Sequence, residues 1–383
     1  MKLLIVSNGH GEDIIGAALA QELAALGYTP QAVPLVGRGG AYEKAGFEVL
    51  GPRRELPSGG FTARSLANLW ADLRAGWFSM SLKHYQSVRK AATEVSATLV
   101  VGDVYALLVA SLFGRRPLFL MQCQSSVRAL APAERPYSVS ERLLMRRARR
   151  VYPREAEAAD WLVACGLANV RYLGNPMLDA LEGVPLELPP PYLLLLPGSR
   201  SDAYESLPRM LEVCRHLRET GLTPVVAWAA LPLEPLRVQG WTLEATGPRE
   251  GLTHLLHHPD GSVVYLTQKA FKTALGGARV AISTSGTAAE QAAGYGVPVV
   301  SFPTGGPQYT RPFAEKQKRL LGDALALVEP DAQAIFRAVQ AFLEGDLRER
   351  ARAAGRAAMG LPGAARRIAL DLHQQLEARQ GPF

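Results

Sequence analysis

An α/β protein of two Rossmann-like, doubly wound domains facing a cleft is what this 383-residue sequence predicts. Three observations predict it. Short all-apolar runs alternate with helix-length stretches along most of the chain, the pattern of a parallel sheet covered by helices. A proline-rich break, LELPPP at 186–191, interrupts that pattern near the middle. Directly after the break the pattern restarts with YLLLL at 192–196. The chain therefore reads as an N-terminal domain at 1–184, a second domain of the same class at 185–345, and C-terminal helices at 346–383 that can pack back on the first domain.

The elements follow in order. Residues 3–6 form a buried strand, SNGHGED at 7–13 turns on Gly9 and Gly11, and apolar spacing from Ile14 to Leu26 marks a helix that stops at Gly27. Strand-like runs recur at 31–35, 47–50, 98–101, 118–122, 149–151 and 170–172, with helical stretches between most of them. The second half offers strands at 192–196, 224–228, 242–244, 263–266, 280–283 and 297–302. The last forty residues are Ala/Arg/Leu-rich helix, interrupted at Pro362. No fixed-period repeat relates the halves, so their likeness is architectural.

Composition narrows the function classes. With 48% hydrophobic and 20% charged residues the chain is globular, not disordered. Its net charge of +7 comes almost wholly from arginine, 34 of 42 cationic side chains, and such a surface attracts anions. Three scattered cysteines, Cys123, Cys165 and Cys214, fit reduced thiols in a cytoplasmic protein. The N-terminal apolar run is shorter than that of a signal peptide, and none later approaches the roughly 18 residues of a spanning helix. The expectation is a cytoplasmic protein whose membrane contact is peripheral, on the inner face. No DxD, HExxH or Cys/His cluster occurs, so neither metal nor cofactor is expected. The basic charge lacks a recognition motif, so nucleic acid is not an expected partner.

In open α/β sheets ligands bind beyond the carboxyl ends of the strands, so the loops there carry the argument. In the first, Gly9 and Gly11 expose amides at a helix start, and His10 at the loop apex can remove a proton from an acceptor hydroxyl. A plain turn with a solvent-facing histidine explains it too. PGSR at 197–200 follows the strongest apolar run; Asp202 and Glu205 read as a capping signal, so amides of Gly198 and Ser199, the helix dipole and Arg200 converge on one point suited to a diphosphate.

In STSGTAAEQ, 283–291, Ser285, Gly286 and Thr287 let a ligand approach the backbone, and Thr287 can cap the next helix. Glu290 supports two readings: the capping-box partner of Thr287, or a bidentate acceptor for the two hydroxyls of a ribose. Thr267, Gln268 and Lys272 lie beyond another strand end, and Gln308, Arg311 and Gln317 beyond the last strong one, with amide and cationic groups suited to a base edge, phosphate or sugar hydroxyls. Asp103 ends a buried strand as either a general base or a helix N-cap. Residues 61–90 interleave Trp70, Trp77, Phe78, Met80 and Tyr85 with Arg64, Arg74, Lys83 and Arg89, which suits a bilayer surface or a lipid-acceptor groove, and equally suits ordinary core-facing aromatics. The basic run 142–150 can add attraction to anionic lipid or be simply a solvated face.

Taken in order, DIIGAALAQEL, GNPMLDAL (174–181), LLLLPGSRSDAYESLP and SGTAAEQAAGYGVPVV resemble the lipid A disaccharide synthase-related family of the GT-B glycosyltransferase superfamily, over most of the chain. The wider group includes peptidoglycan glycosyltransferases and UDP-GlcNAc 2-epimerases. The resemblance implies a UDP-sugar, of the GlcNAc type, on the second domain and a lipid-linked acceptor on the first. It places Gly198, Ser199 and Arg200 at the diphosphate, Ser285, Gly286 and Thr287 at phosphate or sugar, and Glu290 at the ribose; Gln268 and Gln317, from the loop reading above, are the further donor-side candidates. Asp103 matches the position of a family aspartate proposed to act in catalysis. SNGHGED and QCQSSVRALAPAERPYS (122–138) depart from the synthase pattern on the acceptor side. The implied reaction is metal-independent sugar transfer. The alternatives are an epimerase sharing the donor site and an inactive nucleotide-sugar or lipid-binding protein.

Overall fold

The computed structural model describes residues 1–53, 77–131, 134–181, 183–217, 220–229, 231–247 and 249–378, with only the backbone described for 77–81. Two compact units emerge, one spanning Met1–Val127, Pro132–Ala180 and Pro362–Phe383, the other Arg128–Ala131 and Leu181–Leu361.

The first unit runs β1 (Lys2–Ser7), α1 (His10–Ala25), β2 (Thr29–Pro34), α2 (Gly40–Lys44), β3 (Glu48–Val49), α3 (Trp77–Ala91), β4 (Thr98–Gly102), α4 (Val104–Phe113), β5 (Leu118–Gln122), α5 (Val139–Met145), β6 (Arg150–Tyr152) and α6 (Ala156–Ala164). Its strands form a parallel sheet in the order β3-β2-β1-β4-β5-β6. Because side chains alternate along a strand, Leu3, Ile5, Leu99 and Val101 join one core cluster and Leu4, Val6 and Val100 another. The run at 170–172 is not a strand: Val170 makes an isolated bridge to Val151.

The second unit runs β7 (Tyr192–Leu196), α7 (Asp202–Cys214), β8 (Thr223–Ala227), β9 (Thr242–Ala245), β10 (His254–His257), β11 (Val263–Thr267), α8 (Phe271–Gly277), β12 (Ala278–Ser283), α9 (Gly286–Gly294), β13 (Val299–Ser301), α10 (Arg311–Leu321), β14 (Leu325–Leu327), α11 (Ala332–Ala341) and α12 (Gly345–Met359). The sheet order is β14-β13-β12-β7-β8-β11-β10-β9. It departs from a wholly parallel sheet at one edge, where β11, β10 and β9 pair antiparallel. β10 and β14 are strands that the apolar-run pattern does not reveal: His254 and His257 flank only two leucines in β10, and β14 has three residues.

The C-terminal helices divide at Pro362. α12 belongs to the second unit, and only α13 (Ala364–Glu377) returns to the first, packing on α1. The return is fastened by buried polar contacts: Asp371 accepts from the Tyr152 hydroxyl at 2.8 Å and pairs with Arg171, while Asp179 accepts from the amides of Gly363 and Ala365. α12 in turn lies close on α9, where a Cβ at Gly355 would stand 2.3 Å from the Ala293 carbonyl oxygen. Gly355→Ala is therefore expected to cost about 1–3 kcal/mol, the usual range for overpacking, read as a lower urea midpoint with unchanged slope.

Candidate functional site

In the second unit β7 is the strand from which the chain winds both ways, to β8 on one side and to β12 on the other. Such a switch point separates two loops and opens a crevice beyond the strand ends. Gly198 follows β7 with φ +105°, a conformation that disfavours any side chain. A Cβ there would meet the Ser285 Cβ at 3.5 Å, so the loops after β7 and β12 touch.

Two buried hydroxyls fasten that seam. Thr284 donates to the Pro197 carbonyl at 3.2 Å and lies 2.9 Å from the Ser206 hydroxyl of α7, while Ser283 donates to the Ser285 carbonyl and receives its amide. Ser285 and Gly286 are half-buried, and Ser199, Arg200 and Thr287 are exposed.

α9 begins at Gly286 with Ser285 as its N-cap, whose side chain makes no capping hydrogen bond. The helix thus presents its first amides, and the positive end of its dipole, beside Gly198. This start also corrects the capping-box reading: Thr287 lies inside the helix, and the box position is Ala288, not Glu290. Glu290 is instead buried one turn on and accepts from the Gln317 side chain of α10 at 3.2 Å. Gln317, read from the sequence as a donor-side amide, is buried, and with Phe313 it packs against Gly286.

Asp202 and Glu205 give a second correction. α7 starts at Asp202, but neither carboxylate caps it; both hold the loop after β13. Asp202 Oδ2 accepts from the Thr304 hydroxyl at 3.1 Å and from the amides of Gln308 and Tyr309 at 3.0 Å each, and Glu205 accepts from the Gly305 amide at 2.9 Å. Gln308 in turn accepts from the Arg200 guanidinium. The cluster of Gly198, Ser199, Arg200, Ser285, Gly286, Thr287, Glu290 and Gln317 is thereby gathered at neighbouring strand ends. Gln268 is not among these neighbours: it is exposed at the end of β11, two strands from β7. Thr267 is spent locally on Gly251, Lys269 and Ala270, and Arg311 pairs with Glu329 at 2.6 Å.

The first unit has its own switch point, at β1 between β2 and β4. His10 is not a loop apex but the first residue of α1, with Gly9 as N-cap and Gly11 already helical. The imidazole is exposed and leans to the β2 side, where a Cβ on Gly37 would lie 2.7 Å from its Cε1. Asp103 sits on the β4 side as the N-cap of α4: its Oδ1 accepts from the amides of Tyr105 and Ala106 and from the Asn8 side chain at 2.6 Å.

Glu12 joins this end of the sheet, accepting from the Gln124 side chain at 3.1 Å and folding back over Gly9. Beside it the Cys123 thiol is held well above its usual value, chiefly by burial, with Glu12 and Asp103 adding to the effect and Arg154 opposing it. Beneath the loop Asp13 is buried; its carboxyl is pushed up to about 7 by desolvation, against the lowering effect of a 2.6 Å bond from Ser7. Asn8 and Glu12 carry no spacing signal of their own, and only the acidic first turn of α1 marks the latter.

Trp70 lies outside the described residues. Trp77 and Phe78 open α3, and their side chains are likewise outside them. Among the described residues no helix is long and apolar enough to cross a membrane, and no three His, Cys, Asp or Glu side chains converge as metal ligands.

No protein-family model and no curated protein sequence matches this chain. Solved structures do. CalG4, the calicheamicin glycosyltransferase, superposes with a TM-score of 0.63 at 18% identity over 100% of this chain and 99% of its own. This chain has a GT-B fold. MurG of Acinetobacter baumannii gives 0.56 at 14% identity, covering 98% of this chain and 99% of that one. UDP-GlcNAc 2-epimerase of Neisseria meningitidis, bound to UDP-GlcNAc, gives 0.56 at 14%, covering 99% and 100%. These neighbours are thus both glycosyltransferases and epimerases, and no family model or curated sequence singles out the lipid A disaccharide synthase branch.

Proposed function

We propose that this protein is a UDP-sugar glycosyltransferase that moves a GlcNAc-type sugar to a hydroxyl of a lipid-linked acceptor without a metal. The observation that carries the reading is the switch point of the second unit, where Arg200, the Gly198 turn and the uncapped start of α9 adjoin buried Glu290. Such a set suits a nucleoside diphosphate: amides, dipole and guanidinium for the two phosphates, a carboxylate for the ribose diol. The UDP-GlcNAc held by the meningococcal epimerase supports the donor class.

In this reading His10 takes the proton of the acceptor hydroxyl as its oxygen attacks the anomeric carbon. The anomeric carbon–oxygen bond breaks, and UDP leaves with its charge on Arg200 and the α9 amides. Asp103 orders the loop, since its Oδ1 already accepts three hydrogen bonds. The lipid character of the acceptor rests on Leu108 and Leu112 of α4 and Val139 and Leu143 of α5, all exposed, with Arg142, Arg146 and Arg147 close in sequence. Exposed apolar side chains with cations nearby in sequence suit peripheral attachment to anionic lipid.

Epimerase chemistry is the second reading, favoured by the epimerase neighbours. Incubating UDP-GlcNAc with the protein, alone and with glycolipid acceptors, separates the two. UDP release that requires an acceptor is the expected result. Epimerised sugar without an acceptor moves the assignment to the epimerase, and turnover in neither case sinks both. Co-sedimentation with anionic vesicles at low salt is expected too, and its absence would count against a lipid-surface acceptor.

A further inference from the structure

The loop at 304–309 has no place in the proposed chemistry, yet the structure ties it to the donor residues through one buried carboxylate. Asp202 is 5% exposed, and its Oδ2 alone accepts from the Thr304 hydroxyl and from the Gln308 and Tyr309 amides. The loop is shaped to this carboxylate: a Cβ on Gly306 would stand 2.5 Å from Asp202 Cγ, and one on Gly305 would stand 2.7 Å from Glu205 Oε1. At its far end Tyr309 lies 2.8 Å from the Ser301 hydroxyl, which itself donates to the Ser283 carbonyl at the end of β12. Next to Tyr309, Gln308 receives Arg200.

A carboxylate near an anion site is by charge alone unfavourable to the anion. We infer that Asp202 is a positioning residue for the diphosphate site: it fixes the 304–309 loop so that Gln308 aims the Arg200 guanidinium. This rests on the UDP-sugar reading above. An exposed arginine has many rotamers, and ordering it before the ligand arrives removes part of the cost of binding.

Charge and positioning make opposite predictions for Asp202→Ala. If the carboxylate acts only through its charge, UDP binds more tightly. If it positions Arg200, the variant binds UDP about tenfold more weakly, the scale of one charge-assisted hydrogen bond. The same substitution in an Arg200→Ala background is then expected to change affinity by no more than about twofold, because the aimed group is gone. Asp202→Asn keeps an oxygen acceptor for the loop amides and is expected to stay within about threefold of the parent.

Gln308→Ala guards against a failure of Asp202→Ala to fold, since Gln308 is exposed; it should reproduce the loss. Calorimetry with UDP supplies the affinities. Hydrogen exchange at the Gln308 and Tyr309 amides, accelerated in Asp202→Ala with β7 and β12 unchanged, reports the loop directly. Unchanged or tighter UDP binding in Asp202→Ala or Gln308→Ala, or additive losses with Arg200→Ala, would overturn the inference. A parent that does not bind UDP would overturn the donor reading and the diphosphate role with it, while the exchange data would still show whether Asp202 holds the loop.

Discussion

Arg200→Ala is expected to weaken UDP binding by about tenfold to a hundredfold, the loss of a charge-assisted and potentially bidentate contact to phosphate. The side chain is exposed and its recorded partner is Gln308, so its removal leaves the core untouched. Stability should stay within about 0.5 kcal/mol of the parent, as for surface substitutions in general. Affinity and folding are thereby separable in one variant. Arg200→Lys should recover part of the loss, because an ammonium keeps the charge but not the planar fork. The contact is also expected to weaken with added salt, since an exposed pair is screened beyond about 10 Å at 0.1 M. Calorimetric titration with UDP at two salt concentrations checks all of this; parent-like affinity in the alanine variant would remove the diphosphate from this loop.

Asp13 sets the second expectation, a fall in stability between about pH 4 and pH 7. Its carboxyl has a native value of about 7 against 3.8 for the unperturbed group, with burial as the leading cause and Glu12 adding to it. The native state therefore holds a proton that the unfolded chain has already lost across that window. The contribution of the neutral acid is complete below the unfolded value and disappears as pH rises through the folded one. The ceiling is about 4 kcal/mol at 1.36 kcal/mol per unit.

Asp13→Asn retains an acceptor for the Ser7 hydroxyl, which itself receives the Tyr42 hydroxyl at 3.0 Å. The variant is expected to be more stable than the parent at pH 8 by about 2 kcal/mol, half that ceiling, and to match it near pH 4. Urea titrations at the two pH values decide it: equal stability of parent and variant at pH 8 would show that the buried carboxyl ionises without penalty. His10 opens the same helix that carries Asp13, so the same titration bears on how that helix start is held.

The architecture was legible in the sequence because buried parallel strands are written as apolar runs. Residues 118–122 and 192–196 are strands with the expected bounds. What escaped was whatever lacks a long apolar run: β10 and β14 are short, and Val170 gains a single bridge to Val151. The glycine-bearing segments read from the sequence at 7–13, 197–200 and 283–287 do follow strands beside the switch points of the two sheets.

Partners of polar side chains were the unreadable part. Asp202 with Glu205, and Thr287 with Glu290, both have capping-box spacing, because a local rule sees only residues three apart. In the fold a carboxylate goes to the strongest donors within reach, and for Asp202 these are amides more than a hundred residues away. Asp103 has the capping role that the sequence offered as one of two, and the Asn8 amide that joins two backbone amides on its Oδ1 comes from a residue 95 positions away.

The sequence by itself determined the two doubly wound sheets and the glycine-bearing turns that follow their central strands, because each follows from short-range periodicity and turn propensity. Tertiary structure alone decided that Arg200 is held by Gln308, that Glu290 faces Gln317 and that α13 rather than α12 returns to the first unit. Those outcomes depend on donors and acceptors brought together by strand order, a long-range property that local sequence patterns do not encode.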